Sequence, residues 1–190
     1  MKKFIIILSV ILMGFSTQKK ATIYVQPFKG FPQQETEYLT ERLKKVYPYI
    51  EVREPIDLPN SCKNDSKTRY RADKLISFLR DNTKEGSFTV GLTNKDISTT
   101  KGEYQDWGVM GLGYCPGSSC VISTFRVKGK DRLNKVFKLT IHELGHTQGL
   151  PHCLTESCIM SDAKGKDKFN EENGFCKHCK NKLTRAGWKL

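Results

Sequence analysis

Apolar positions recur along this chain at two spacings, and the alternation of those spacings places strands between helices. The run ATIYVQ at 21–26 has the β-branched and aromatic content of a strand, and Pro27, Gly30 and Pro32 then punctuate a turn. From Gln33 to Val46 the residues Tyr38, Leu39, Leu43 and Val46 fall at helical spacing, and Pro48 closes that helix. Tyr49 to Val52 reads as a short strand and the proline-broken stretch from Pro55 to Asn64 as a loop. Arg69 to Asn82 follows as a second helix with Ala72, Leu75, Ile76 and Leu79 on its inward face. Ser87 to Thr93 (SFTVGLT) is a buried third strand, and Trp107 to Phe125 carries two more around a turn at Cys115 to Ser119. A third helix is predicted from Arg132 to Gln148, turning Leu133, Val136, Phe137, Leu139, Thr140 and Leu144 inward. Beyond Gly149 the chain is polar, lysine-rich and cysteine-bearing, and no periodicity is sustained.

Strands interleaved with helices imply a mostly parallel sheet with helices packed on it, an α/β (α+β) architecture. The first 18 residues are of another kind. Lys2 and Lys3 precede an apolar run from Phe4 to Phe15, followed by small polar residues, which is the layout of an export signal removed by cleavage. The run is well short of the roughly 20 apolar residues of a membrane-spanning helix, and no other stretch is a candidate for one. The expectation is therefore a cleaved signal at 1–18 and a single catalytic domain at 19–190, exported to the periplasm or secreted, with no transmembrane segment and monomeric.

The formal net charge of +12 stays strongly positive after loss of Lys2 and Lys3. Such a surface attracts acidic partners, but the lysines are scattered and few aromatics lie among them, so nucleic acid is not an expected partner. Seven cysteines in an exported chain suggest disulfides, although an odd number cannot all pair within one molecule. Cys153, Cys158, Cys176 and Cys179 end in a CxxC pair and begin beside a histidine motif, which favours a thiolate metal site.

That motif is HELGHTQGLPH, from His142 to His152, and it holds three of the four histidines in the chain. His142 and His146 lie one helical turn apart on one face and can grip one metal ion. Gly149 ends the helix and bends the backbone so that His152 returns as a third ligand, leaving one tetrahedral position open. In a zinc site that position holds water, whose pKa the metal lowers towards about 7, and Glu143 is placed to act as its general base. His178, between Cys176 and Cys179, reads as an exposed neighbour and not a ligand, since the cysteines already number four.

The longer stretch HELGHTQGLPHCLTESCIM, from His142 to Met160, resembles the motif of the archaemetzincins, and the distal Cys176 and Cys179 complete the family's pattern. The segment between Met160 and Cys176 is slightly shorter than is usual there. The resemblance implies a metzincin-type zincin fold: a twisted, mostly parallel sheet of four or five strands with one antiparallel edge strand, an active-site helix, and a zinc-bound C-terminal segment. It implies that Met160 forms an apolar turn beneath the metal, and that Cys153, Cys158, Cys176 and Cys179 hold a second, structural zinc, giving two zinc ions per chain. Two disulfides are the competing outcome for these four cysteines after export. Cys115 and Cys120 flank the Pro116–Gly117 turn and are placed to bridge, which would leave Cys62 unpaired.

The function expected is zinc-dependent peptide hydrolysis, with a peptide or protein substrate laid along an edge strand between Val109 and Phe125. The alternative is a zinc-stabilised peptide-binding module with little or no turnover, because every tyrosine lies at or before Tyr114 and none follows Met160 to support the developing oxyanion.

Overall fold

In the computed structural model of the chain, residues 21–163 and 168–190 are described. The expected signal segment at 1–18 lies outside them.

Five strands form the main sheet: β1 (Ile23–Pro27), β2 (Ile50–Val52), β4 (Phe88–Thr93), β7 (Gly111–Gly113) and β8 (Ser119–Ser123), in the order β2-β1-β4-β8-β7. The first four in that order run parallel, and β7 pairs antiparallel with β8 at the edge. A smaller sheet joins the two-residue β3 (Tyr70–Arg71) to the hairpin of β5 (Ile97–Lys101) and β6 (Tyr104–Val109). The helices are α1 (Gln33–Val46), α2 (Ala72–Asp81), α3 (Arg132–Thr147) and α4 (Lys177–Arg185), with one 3-10 turn at Asn60–Cys62.

The two faces of the sheet follow from the period-2 alternation of its strands. Ile23, Val25, Val90, Leu92, Cys120 and Ile122 point to one side, where they bury Leu39 and Leu43 of α1 and Val136, Ile141 and Leu144 of α3. Val121 points to the other, against Leu75, Ile76 and Leu79 of α2. Gly91 lies on that second face because Leu79 occupies the volume a side chain would need. None of the helices among the described residues is long and apolar enough to cross a membrane.

The structure departs from the sequence-based reading at β3, β5, β6 and α4: Tyr70–Arg71, read as the start of the second helix, forms β3, and β5 lies where no element was expected. Trp107 to Val109 belongs to β6 of the smaller sheet, so the stretch from Trp107 to Phe125 contributes to both sheets. The tail after Gly149 is not wholly irregular, since α4 forms there. Its buried residues are only Cys179 and Leu183, one turn apart, which is too short a stripe to register as periodicity.

Candidate metal centres

α3 carries HELGH on its last turns and ends in the manner the sequence predicts. Gly149 adopts φ +82°, its N–H donates to the His146 carbonyl at 2.8 Å, and the Leu150 N–H donates to the Gly145 carbonyl at 3.0 Å. These two bonds make a Schellman motif, which only a residue tolerant of positive φ closes without strain. The Lys182 ammonium of α4 donates to the Gly149 carbonyl and fastens the motif from outside. The chain so reversed brings His152 back to His142 and His146, and one ligating atom from each of the three lies within 4.8 Å of the others.

The orientation of the first two rings is set by backbone carbonyls. His142 Nδ1 is 2.6 Å from the Ile159 carbonyl oxygen, and His146 Nδ1 is 2.7 Å from that of Leu150. A carbonyl oxygen can only accept, so both Nδ1 atoms carry protons. Burial pushes the His142 imidazole down to about 4 and lowers that of His146, so both rings are neutral at physiological pH. Their Nε2 atoms are therefore bare lone pairs, and they face one another at 3.1 Å. Two acceptors at that distance with no proton between them repel unless a cation stands between them, and neutral imidazole held by a second-nitrogen hydrogen bond is the form that ligates metal.

Glu143, next to His142 on α3 and about 100° round the helix from it, is buried beneath β7. A β-carbon at Gly111 would lie 2.7 Å from the Glu143 Oε1, and one at Gly113 would lie 2.7 Å from its backbone carbonyl oxygen and 3.2 Å from Cys120 Cβ. The glycines of the GLG strand are what let the sheet edge close over this carboxylate. Burial raises the Glu143 carboxyl to about 8, and a hydrogen bond from the Gly113 backbone acts the other way. Met160 is fully buried, with its sulfur against Gly145.

The second cluster collects Cys153, Cys158, Cys176 and Cys179, whose sulfurs all lie within 4.8 Å of one another. Cys153 Sγ and Cys176 Sγ are 3.7 Å apart, a non-bonded separation, and all seven cysteines of the chain are free thiols. The Cys179 backbone N–H, together with the neighbouring thiols, lowers Cys176 to about 7, while burial raises Cys158 and Cys179. Four sulfurs converging in this way are a tetrahedral thiolate donor set suited to zinc. His178 is exposed. Cys115 is exposed and Cys120 fully buried on β8, and they do not bridge.

Sequence reasoning missed four contributors to the sites: Gly111 and Gly113, whose GLG spacing on an edge strand is a readable mark of close approach, and the carbonyls of Leu150 and Ile159. The two carbonyls carry no sequence signal, since every residue has one.

The chain matches the model of peptidase family M54 over residues 31–185. It is similar to the archaemetzincin of Haloquadratum walsbyi, 28% identical over 169 residues that cover 82% of this chain and 95% of that relative. It is also similar to the archaemetzincin of Methanopyrus kandleri, 32% identical over 132 residues, 67% of this chain and 73% of the relative. The crystal structure of the Methanopyrus kandleri protein aligns with a TM-score of 0.74 at 27% identity, covering 90% of this chain and 98% of that one. The Archaeoglobus fulgidus archaemetzincin, crystallised in complex with malonate, aligns with a TM-score of 0.72 at 28% identity, covering 85% and 99%.

Proposed function

The chain belongs to peptidase family M54 and is a zinc metallopeptidase, and from that premise we propose how its residues divide the work. His142, His146 and His152 hold the catalytic zinc. The observation that carries this assignment is the pair of unprotonated Nε2 atoms facing each other at 3.1 Å while both Nδ1 protons are engaged by carbonyls. When bound there, zinc supplies a Lewis acid and makes water a nucleophile at neutral pH. Glu143 takes the proton from the attacking water and returns it to the leaving amine. The glycines of β7 let the Glu143 carboxylate lie against the sheet edge along which an extended peptide would pair. Cys153, Cys158, Cys176 and Cys179 hold a second zinc with no open position, which makes that ion structural.

We also propose that the protein is exported, on the strength of the apolar run from Phe4 to Phe15 behind Lys2 and Lys3. Fractionation of the producing cells checks this: enrichment of a shortened chain outside the cytoplasm supports it, and full-length protein confined to the cytoplasm overturns it.

Elemental analysis together with cleavage of a peptide library tests the assignment of roles. Wild type is expected to hold two zinc ions, a Cys176→Ser, Cys179→Ser variant one, and Glu143→Ala two, with cleavage reduced by about 100-fold or more. Full zinc occupancy with cleavage equal in wild type and Glu143→Ala would remove Glu143 from the mechanism. Full occupancy with no cleavage by either would favour a zinc-stabilised peptide-binding module.

A further inference from the structure

The two clusters share one short segment of backbone. Ile159, whose carbonyl accepts from the His142 ring, stands directly between Cys158 and Met160. On one side, the segment is tied to the strand-like stretch before α4: Ile159 N–H donates to the Gly174 carbonyl at 2.9 Å, and Cys176 N–H reaches the Cys158 sulfur at 3.3 Å. On the other, the Cys153 N–H donates to the Met160 carbonyl at 2.7 Å, and Cys153 follows the third histidine without an intervening residue. Among the described residues between Gly149 and Cys176 there is no helix or strand, only isolated bridges, including Cys153 with Ser161 and Cys158 with Gly174. Isolated backbone bonds and the burial of Ile159 and Met160 in the core hold this segment, and the cysteines on both sides of it are its remaining tie to α4 and to His152.

We propose that the four-cysteine cluster is the positioning element of the three-histidine site: metal on the cysteines fixes the Ile159 carbonyl and the approach of His152, and so raises the affinity of the histidines for their own metal. The proposal rests on reading both clusters as metal sites, and goes beyond it by joining them thermodynamically. A hydrogen bond to the second nitrogen of a ligating histidine fixes its tautomer and ring plane, and its loss lowers metal affinity about 10- to 100-fold. Coupling of this kind is reciprocal, so metal on the histidines tightens the cysteines by the same factor.

One equivalent of Cd²⁺, a soft ion that prefers four thiolates, fills the cysteines of metal-free, fully reduced wild-type protein. Co²⁺ then titrates the histidines, followed by its visible absorption, and the same titration on the Cys176→Ser, Cys179→Ser variant gives the affinity with the cluster open. The Cd²⁺-loaded protein is expected to bind Co²⁺ at the histidines about 10- to 100-fold more tightly. A second readout needs no variant. Hydrogen exchange on wild type with and without Cd²⁺, the histidines still empty, is expected to show new protection of the His142 ring N–H and the amides from Cys158 to Ser161, with β1, β4 and β8 unchanged. Equal Co²⁺ affinities, or unchanged exchange at the His142 ring, overturn the coupling while leaving the peptidase reading in place. Absence of Co²⁺ from the histidines in both states would overturn the peptidase reading as well.

Discussion

The sulfur of Met160 rests against Gly145 so closely that a β-carbon on Gly145 would lie 2.6 Å from Sδ and 3.2 Å from Cε. The glycine inside HELGH is therefore a seat for the methionine beneath the histidines, in a helix where glycine is otherwise unfavourable. Gly145→Ala gains about 1 kcal/mol of helix propensity but overpacks a fully buried site, at a cost of about 1–3 kcal/mol. The collision is with the last two atoms of the methionine side chain, but Met160 is fully buried among core residues and has no open space to swing into, so overpacking is expected to win and the variant to be less stable than wild type. Adding Met160→Ala to it should recover part of the cost that Met160→Ala alone incurs. Denaturant unfolding of the four proteins gives the coupling, and strict additivity would refute the contact.

Gly111 and Gly113 lie on the same face of β7, and their substitutions are expected to fail differently. At Gly111 the obstacle is the Glu143 carboxylate, at the end of a side chain that can turn aside. Gly111→Ala is thus expected to leave the fold and the zinc content intact while lowering kcat about 100-fold, through displacement of the base. At Gly113 the obstacles are the Glu143 backbone carbonyl and Cys120 Cβ, neither of which can move without shifting α3 or β8. Gly113→Ala is expected to lower the unfolding free energy by about 1–3 kcal/mol. Steady-state kinetics and unfolding curves on both variants separate the two effects, and loss of zinc from Gly111→Ala would argue against the first.

Burial of Glu143 sets a pH dependence in the metal-free protein. Its carboxyl is raised from 4.5 to about 8 on folding, so the folded state holds a proton that the unfolded state has released. The stability associated with this group is fully present below about pH 4.5 and is lost as pH rises through about 8, at up to about 1.4 kcal/mol per pH unit. Other groups titrate alongside: His142, depressed to about 4, contributes the opposite slope up to its ordinary 6.5, and Cys176, lowered to about 7, does so from there upward. The difference between wild type and Glu143→Gln isolates the glutamate. Unfolding of both metal-free proteins across that range should show Glu143→Gln gaining on wild type as pH rises. Parallel curves would mean that Glu143 is ionised in the folded state throughout.

How far the sequence could be read depended on what held each element. α3, its glycine stop and the return of His152 were legible because spacing on a helix is itself geometry, and the parallel sheet followed from buried runs such as Phe88–Thr93. β5 was not legible: Ile97 is the one apolar residue of its sequence ISTTK, and the hairpin is held instead by ion pairs from distant residues to Asp96. α4 escaped for a related reason. Its attachments are a sulfur in the cysteine cluster, Leu183, the Lys182 bond to Gly149, and the adjoining Trp188, packed on Tyr47 and donating to Gln148 at 3.0 Å. Long-range partners of that kind leave no periodic trace.

Asp96 is the point at which the hairpin is fastened to the rest of the chain. Its Oδ1 accepts from Arg126 Nε at 2.7 Å, and its Oδ2 accepts from Arg126 Nη2 and Arg69 Nε, each at 2.8 Å. Arg69 reaches on to the Asp106 carboxylate at 3.3 Å and its carbonyl at 2.9 Å, and Gly108 of β6 leaves the space that the Arg126 guanidinium occupies. The aspartate side chain is 11% exposed and the two arginines about a third exposed, so the pairs are partly screened. A bidentate arginine and a second cation on one carboxylate are nevertheless stronger than an isolated surface pair. Removal of the carboxylate leaves two arginines facing each other without their anion. Asp96→Ala is expected to cost about 1–3 kcal/mol, discounted from the value for a fully buried pair. Its local consequence is more telling, because β6 runs through Met110 directly into β7, the strand over Glu143. Limited proteolysis of Asp96→Ala is expected to cut first within the β5–β6 hairpin, and KM for a long peptide to rise more than for a short one as the strand leading into β7 loosens. Hairpin protection equal to wild type would show that the ion pairs are dispensable and that the β5–β6 backbone ladder alone holds this edge.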